Sequence, residues 1–281
     1  MLGIDSGGSF LKFGVYREGK RHLDHLNLFP LPNTKEFLTF LFEGHSSILM
    51  TGAGADSITN LLSKENIDKI EFLPEFLATG LGGAYLAGAD QCIVVNIGSG
   101  TPILYVDREE KKVKHLGGTG LGSASLAGLS HYLTGTSDLE EIGNEALKGN
   151  PSKVNLLISD IYSKPDEIGI PGYITASNFG KYQNWRHTNA ENKPSKVDFL
   201  AGLHSMVGET IAMVSTLASR QYKDINPELP IIITGGGTLN PALINYLEFT
   251  YKYLNQKYII PQNAVFATLH GVFLVKDLFS N

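Results

Sequence analysis

Residues 3–14, GIDSGGSFLKFG, set an aspartate, four glycines, two serines and a lysine around a short apolar strand. Glycines after a strand let several backbone N–H groups converge on one anion, because no side chain stands in the way. Asp5, at the end of the strand, can order hydrated magnesium there, and Lys12 can reach a phosphate as a point charge. Each also has a plainer use, Asp5 as a turn former and Lys12 as a solvated strand residue. A second turn, NIGSGT at 96–101, contains Gly98 and Gly100 and adds the hydroxyls of Ser99 and Thr101, but no cation. A third cluster, TGGGT at 234–238, ends an apolar strand ahead of a helical pattern. There the backbone of Gly235, Gly236 and Gly237 can approach a flat nucleoside, or simply begin a crowded helix.

The better-known phosphate loops do not fit. No strict GxGxxG occurs, and GVYREGKR satisfies GxxxxGK only to place Arg21 where a P-loop needs Ser or Thr. A P-loop also opens into a helix, whereas FLKFGVY continues as strand, so both glycine turns belong at hairpin tips. Two such hairpins can clamp one polyphosphate.

The elements that must carry these turns read twice along the chain. Residues 1–28 run strand, glycine turn, strand, charged turn, strand, and residues 92–116 repeat the plan. An ungapped offset of 91 takes Asp5 to Asn96, Gly7 to Gly98, Val15 to Val106 and Lys20 to Lys111, which implies two similar lobes. Between the copies the patterns predict helices near 33–43, 56–65 and 76–88 and strands at SILMTGAG and KIEFL. After the second copy they predict helices near 123–134, 195–222 and 263–279, and one starting at Asn240 as cap with Pro241 in its first position. Four prolines interrupt the polar stretch 145–195. The lobes divide near 88–91, giving segments 1–89 and 90–281.

A net charge of −5 gives no global basic field for nucleic acid, so an anionic ligand must be held by local groups, chiefly backbone amides. The single cysteine, Cys92, excludes an intramolecular disulfide framework or a multi-thiolate zinc cluster, fits the core of CIVVNI, and favours a reducing compartment. No basic segment followed by a signal-type apolar stretch opens the chain, and no uninterrupted apolar run nears a membrane span, so the expectation is a cytoplasmic protein without a membrane partner. His22, His25, His45, His131, His187, His204 and His270 show no metal-ligand spacing and read as surface or satisfied core residues. Trp185 and NYLEFTYKYL read as packing, although Tyr251 could face the substrate of a neighbouring subunit.

Taken together, GIDSGGSFLK, TGAGA, PEFLATGLG, NIGSGT, GGTGLG, PGYITASNFG and QNAVFATLHG resemble the ATPase superfamily of actin, hexokinase and the heat-shock chaperones. Within it the chain resembles the type II pantothenate kinases over nearly its whole length. The resemblance implies an α/β, two-lobed actin-like ATPase (ribonuclease H-like) fold with duplicated mixed-sheet domains and a nucleotide cleft. It implies ATP bound by Asp5, Ser6, Gly7, Gly8, Ser9, Phe10, Leu11 and Lys12, by Gly98, Ser99, Gly100 and Thr101, by Gly122, Ser123, Ala124, Ser125, Leu126 and Ala127, and by Gly235, Gly236 and Gly237. Glu75 falls on the family's general base; by itself a glutamate in this place also suits the positive end of a helix. Thr175 and Ala176 match the substrate-side motif, and that motif and the long helix imply a homodimer. His115 stands where an arginine for the pantothenate carboxylate is expected, and a neutral imidazole holds a carboxylate less well than a guanidinium fork. TGGGT is also richer in glycine than the family pattern.

The implied reaction is ATP- and Mg2+-dependent phosphorylation of pantothenate to 4'-phosphopantothenate, the first step of coenzyme A biosynthesis. Two alternatives stand beside it. One is a kinase for another hydroxylated metabolite such as an amino sugar, whose superfamily members usually offer an aspartate base. The other is a non-metabolic ATPase switch resembling the dehydratase activators, whose cluster-holding cysteines this chain lacks, or the chaperones, whose client-binding domain has no sequence left to form it.

Overall fold

The structure is a computed structural model, and it describes every residue except Ser9, 18–19, 28–33, 187–192, 223, 225 and 280–281. The strands are β1 (Leu2–Ser6), β2 (Phe10–Arg17), β3 (Lys20–Asn27), β4 (Ile48–Thr51), β5 (Ile70–Phe72), β6 (Gln91–Asn96), β7 (Thr101–Asp107), β8 (Lys112–Thr119), β9 (Leu156–Leu157), β10 (Thr175–Ser177), β11 (Ile231–Thr234) and β12 (Tyr258–Ile259). The helices are α1 (Thr34–Phe42), α2 (Ala55–Thr59), α3 (Lys64–Ile67), α4 (Glu75–Ala87), α5 (Ser123–Thr134), α6 (Leu139–Ala146), α7 (Ile158–Ile161), α8 (Tyr182–Arg186), α9 (Lys196–Arg220), α10 (Pro241–Tyr253) and α11 (Ala267–Phe279). The chain forms two compact units. One comprises Met1–Ala124, Val214–Thr238 and Leu254–Asn281; the other comprises Ser125–Met213 and Leu239–Tyr253.

The first unit holds two five-stranded sheets of the same plan, β3-β2-β1-β4-β5 and β8-β7-β6-β11-β12. In each, three strands meander antiparallel and two more join parallel to the first. The junction between the sheets falls between α4, which ends at Ala87, and β6, which begins at Gln91. The duplication reaches further than the hairpins. Asp5 pairs with Thr51 across β1 and β4, and Asn96 pairs with Thr234 across β6 and β11. Behind each threonine comes a glycine at positive φ, Gly52 at 101° and Gly235 at 91°. Two residues on, Gly54 N–H donates to Ser6 O and Gly237 N–H to Ile97 O, both at 2.8 Å. A Cβ on Gly52 or Gly235 would run into the main chain of Ser6 or Ile97. TGAG at 51–54 and TGGG at 234–237 are therefore counterparts, and their glycines are required by the close passage of the neighbouring strand end.

The ungapped offset of 91 does not survive on the return strands. Ile4 pairs with Phe13 in the first hairpin, while its counterpart Val95 pairs with Ile103 in the second, so the second turn is one residue shorter. Lys12 thus corresponds to Pro102 rather than Ile103. Because side chains alternate along a strand, a one-residue slip reverses the face each residue shows, and the matching charges at the hairpin tips are coincidental.

Leu2, Ile4, Leu11, Ile48 and Met50 of the first sheet pack against Leu38, Leu41 and Phe42 of α1. Cys92, Val94, Leu104, Val106 and Ile232 of the second pack against Leu81 and Ala84 of α4 and Val275 of α11. Here α4 and α11 cross at backbone contact. A Cβ on Gly82 would strike the Ala267 carbonyl, and one on Gly271 the Ala78 carbonyl. The helix expected over 56–65 is two short ones, because Ser63 leaves helical geometry and accepts the Asn66 N–H as the cap of α3. The last predicted helix begins as a 3-10 turn, Ala264–Phe266, before α11.

In the second unit Asn240 caps α10 as expected, its Oδ1 accepting Leu243 N–H at 2.9 Å. Its Nδ2 lies 2.9 Å from His204 Nε2, and His204 Nδ1 lies 2.7 Å from the Leu200 carbonyl. A carbonyl only accepts, so Nδ1 carries the proton and Nε2 accepts from Asn240. Helix α9 is long and apolar enough to cross a membrane by length and composition, although Asp198, His204 and Glu209 interrupt its apolar run. Its most apolar window is, however, 61% buried within the protein, and Asp198, His204 and Ser205 are buried along it. Such a helix is read as an interior element.

Candidate active site

A cleft of about 600 Å³ opens within the first unit, lined by both glycine turns. From the first turn come Asp5, Gly7, Gly8, Phe10 and Lys12; from the second, Gly98, Ser99, Gly100 and Thr101. The turns meet: a Cβ on Gly8 would lie 2.6 Å from Ser99 Oγ. Gly7 N–H closes its own turn on Phe10 O at 3.0 Å, and Gly98 N–H does so on Gly100 O at 2.9 Å. Under the second turn sits the start of α5, where Ser123 N–H donates to Gly98 O at 2.8 Å and Ala124 N–H to Ser99 O at 3.3 Å. A Cβ on Gly122 would meet Gly98 O and Ser99 O at 2.7 Å, so glycine is needed for this packing. Ser123 lines the cleft, and its Oγ is buried with no hydrogen-bond partner. A glycine cradle with an orphaned hydroxyl at its floor fits a phosphate chain.

Asp5 and Lys12 are cross-strand partners in the antiparallel β1–β2 register, and their side chains form a buried ion pair of 2.8 Å. Glu75 stands at the first position of α4, after Pro74, and lines the same cleft. Burial pushes its carboxyl pKa up, and the Asp5 charge pushes it further. Lys12 and a hydrogen bond from the Ala53 backbone pull it down, without cancelling the rise. A carboxylate raised above its ordinary value accepts a proton more readily, which suits general-base work.

His115 also lines the cleft, its ring stacked on Phe76 at 4.8 Å between centroids. Nearby, the β7–β8 register shifts between Ile103 and Leu104, opposite Gly117 at φ 138°. Bulges of this kind re-aim side chains beside functional sites. Gly236 lines the cleft as well.

Other expected site residues lie elsewhere. Leu11 is fully buried in the first hydrophobic core, so its side chain is a packing residue and not a nucleotide contact. Tyr251 has no exposed surface, so its ring is packed within the chain and presents no face to a neighbouring subunit. Ser6 is buried, and its Oγ has no hydrogen-bond partner. Ala124, Gly235 and Gly237 do not line the cleft, and Ser9 lies outside the described residues. Ser125, Leu126, Ala127, Thr175 and Ala176 belong to the second unit. There Thr175 Oγ1 donates to Glu209 Oε1 at 2.9 Å, Leu126 is buried and Ala176 is exposed. Sequence reasoning missed Ala53, Phe76 and Thr268, all of which line the cleft. Ala53 was findable, since TGAG echoes TGGG; the stack of Phe76 on His115 left no signal in either segment.

Twin mixed sheets of one plan, with a glycine turn on each, define the actin-like ATPase fold. The solved structures agree on that fold. Component A of the (R)-2-hydroxyglutaryl-CoA dehydratase of Acidaminococcus fermentans matches with a TM-score of 0.58 at 13% identity, covering 98% of this chain and 96% of that one. The activator of the 2-hydroxyisocaproyl-CoA dehydratase of Clostridium difficile, solved with bound ADPNP, matches with a TM-score of 0.59 at 14% identity, covering 99% and 95%. The family model Fumble matches residues 89–273. A type II pantothenate kinase of Bacillus cereus is 32% identical over 286 residues, 96% of each chain. One of Oceanobacillus iheyensis is 31% identical over 244 residues, 85% of this chain and 84% of that one. This chain belongs to the type II pantothenate kinase family.

Proposed function

We propose that this protein transfers the γ-phosphoryl group of ATP to the primary hydroxyl of pantothenate, giving 4'-phosphopantothenate and ADP. The observation that carries the reading is the gathering of Glu75, Asp5 and Lys12 in one cleft with both glycine turns, in a chain of this family. Glu75 takes the hydroxyl proton as the oxygen attacks phosphorus, and ADP departs with its bridging oxygen. The turn amides, Ser123 Oγ and the Lys12 ammonium orient the phosphates, so positioning and fixed dipoles supply most of the rate. Asp5 would hold Mg2+, whose chemistry is to neutralise charge on the phosphates. The donor set fits, since a buried carboxylate beside a phosphate cradle is a usual hard-cation ligand.

His115, stacked on Phe76, gives the acceptor's carboxylate a flat, weakly binding neighbour in place of a fork of donors. The proposal includes a homodimer: α9 exposes Met213 and Leu217 one turn apart, and α10 exposes Phe249 and Tyr253 likewise. A reducing cytoplasmic address fits the one unpaired, buried cysteine. The test is ADP release measured with pantothenate, with N-acetylglucosamine and without acceptor. Release that depends on pantothenate supports the reading. Release driven by the amino sugar, or indifferent to both acceptors, overturns it in favour of a sugar kinase or an ATPase switch.

A further inference from the structure

Thr268 lines the cleft and belongs, with Glu75, to the first unit. Its Oγ1 lies 3.0 Å from that of Thr79. The main chains hold this pair together, because Thr79 follows Ala78 and Thr268 follows Ala267, the residues whose carbonyls meet Gly271 and Gly82 where α4 and α11 cross. Thr79 also stands one helical turn along α4 from Glu75, on the same face and about 6 Å away along the axis. Two hydroxyls carry two protons, and the bond between them uses one. Among the described residues neither hydroxyl has another partner. Were Thr268 the donor, the proton of Thr79, which is 1% exposed, would be left buried without an acceptor. Thr79 therefore donates and Thr268 accepts, which leaves the Thr268 proton for the cleft. Thr268 is itself only 4% exposed, so bulk water competes weakly for that proton. Glu75 takes its hydrogen bond from the Ala53 backbone instead.

We infer that Thr268 is a further substrate-binding residue whose hydroxyl, oriented by Thr79, donates a hydrogen bond to an oxygen of the reactants beside Glu75, either on the transferring phosphoryl group or on the alcohol that receives it. The inference rests on the reading of this cleft as the site of phosphoryl transfer. The glycine turns and Lys12 approach the phosphates from the two hairpins; Thr268 adds a donor from α11, the helix packed on that of the base. Because the helices touch through their main chains, the donor cannot drift away from Thr79 without separating α4 from α11.

The test compares Thr268→Val, Thr268→Ser and the double variant Thr79→Val/Thr268→Val, each assayed with ATP and pantothenate and each unfolded in denaturant. Thr268→Val leaves the Thr79 hydroxyl buried without a partner, so it should lower the denaturant midpoint and also lower kcat/KM by at least about tenfold, the scale of one hydrogen bond. The double variant replaces both hydroxyls by methyl groups of similar shape. Its midpoint should return close to that of the wild type, while its kcat/KM stays as low as in Thr268→Val. Thr268→Ser keeps the proton and should stay within about threefold of the wild type. In Thr268→Val, a rise in KM for ATP marks a phosphoryl oxygen as the partner, a rise in KM for pantothenate marks the acceptor, and a fall in kcat alone marks a bond made only in the transition state. A purely structural pair would instead regain activity along with stability in the double variant. That recovery, or a Thr268→Val enzyme within about twofold of the wild type, overturns the inference while phosphorylation of pantothenate stands. A wild type that does not phosphorylate pantothenate at all overturns the proposed function and this inference with it.

Discussion

The Asp5 carboxylate and the Lys12 ammonium face each other at 2.8 Å across the first hairpin, buried at the wall of the cleft. Strand register brings them together, since Asp5 and Lys12 are direct partners of β1 and β2. Breaking a buried pair leaves one charge uncompensated. Lys12→Met should therefore lower stability by about 3 kcal/mol, while the double variant Asp5→Asn/Lys12→Met should recover much of that loss. Both variants should lose phosphoryl transfer by at least about a hundredfold, because each removes charge from the phosphate site. Denaturant midpoints and ADP-release rates on the same preparations separate the two effects.

Glu75 offers a pH test. Its carboxyl is raised by burial and by Asp5, so the base should lose its activity on acidification at a higher pH than a free glutamate. The acid limb of kcat/KM should accordingly lie above pH 4.5, with activity rising as Glu75 deprotonates. Asp5→Asn should move that limb down and Lys12→Met should move it up, whatever each does to the plateau. Glu75→Gln should keep ATP binding, with turnover lower by about a hundredfold or more. Undiminished turnover in that variant would remove Glu75 from the role.

Much of this was legible beforehand because glycine and alternation are local signals. GIDSGGS and NIGSGT announced two hairpins, and the strand order then followed the duplicated plan. Pairing register was not legible: an offset of 91 matched hairpin tips well, but the turn after Asn96 is one residue shorter than the turn after Asp5. Nothing in either segment alone reports that. The equivalence of Thr51 and Thr234 also escaped notice, since TGAG and TGGG acquire their common meaning only when β4 and β11 lie parallel to β1 and β6. Leu11 sits inside the glycine motif yet belongs to the core, a distinction that strand alternation draws and motif matching blurs.

Two kinds of glycine should respond oppositely to a methyl group. At Gly8 the obstacle is the Ser99 hydroxyl, the end of a small side chain that can rotate, so Gly8→Ala should fold with its melting temperature nearly unchanged. It should raise KM for ATP, because the methyl group enters the space between the turns. At Gly271 the obstacle is the Ala78 carbonyl, a backbone atom of α4 that cannot turn aside. Gly271→Ala should cost about 3 kcal/mol or prevent folding, as overpacking at a close helix crossing does. Thermal melts with and without ATP distinguish the outcomes, and a Gly8→Ala enzyme as unstable as Gly271→Ala would contradict the account of the turns.

His204 predicts the acid stability of the second unit. Burial drives its pKa from 6.5 down to about 4, the Leu200 bond only partly opposing the shift. The unfolded chain takes up the proton first, so the stability given by neutral His204 is complete above pH 6.5 and falls as pH drops towards 4, by on the order of 3 kcal/mol in all. Protonation at Nε2 would also turn the ring from acceptor to donor against the Asn240 amide, loosening the cap of α10. Urea midpoints measured from pH 7.5 to 4 should show this slope in the wild type. His204→Gln should be less stable at pH 7 yet lack that part of the slope, and an equal slope in both would locate the acid sensitivity in other groups.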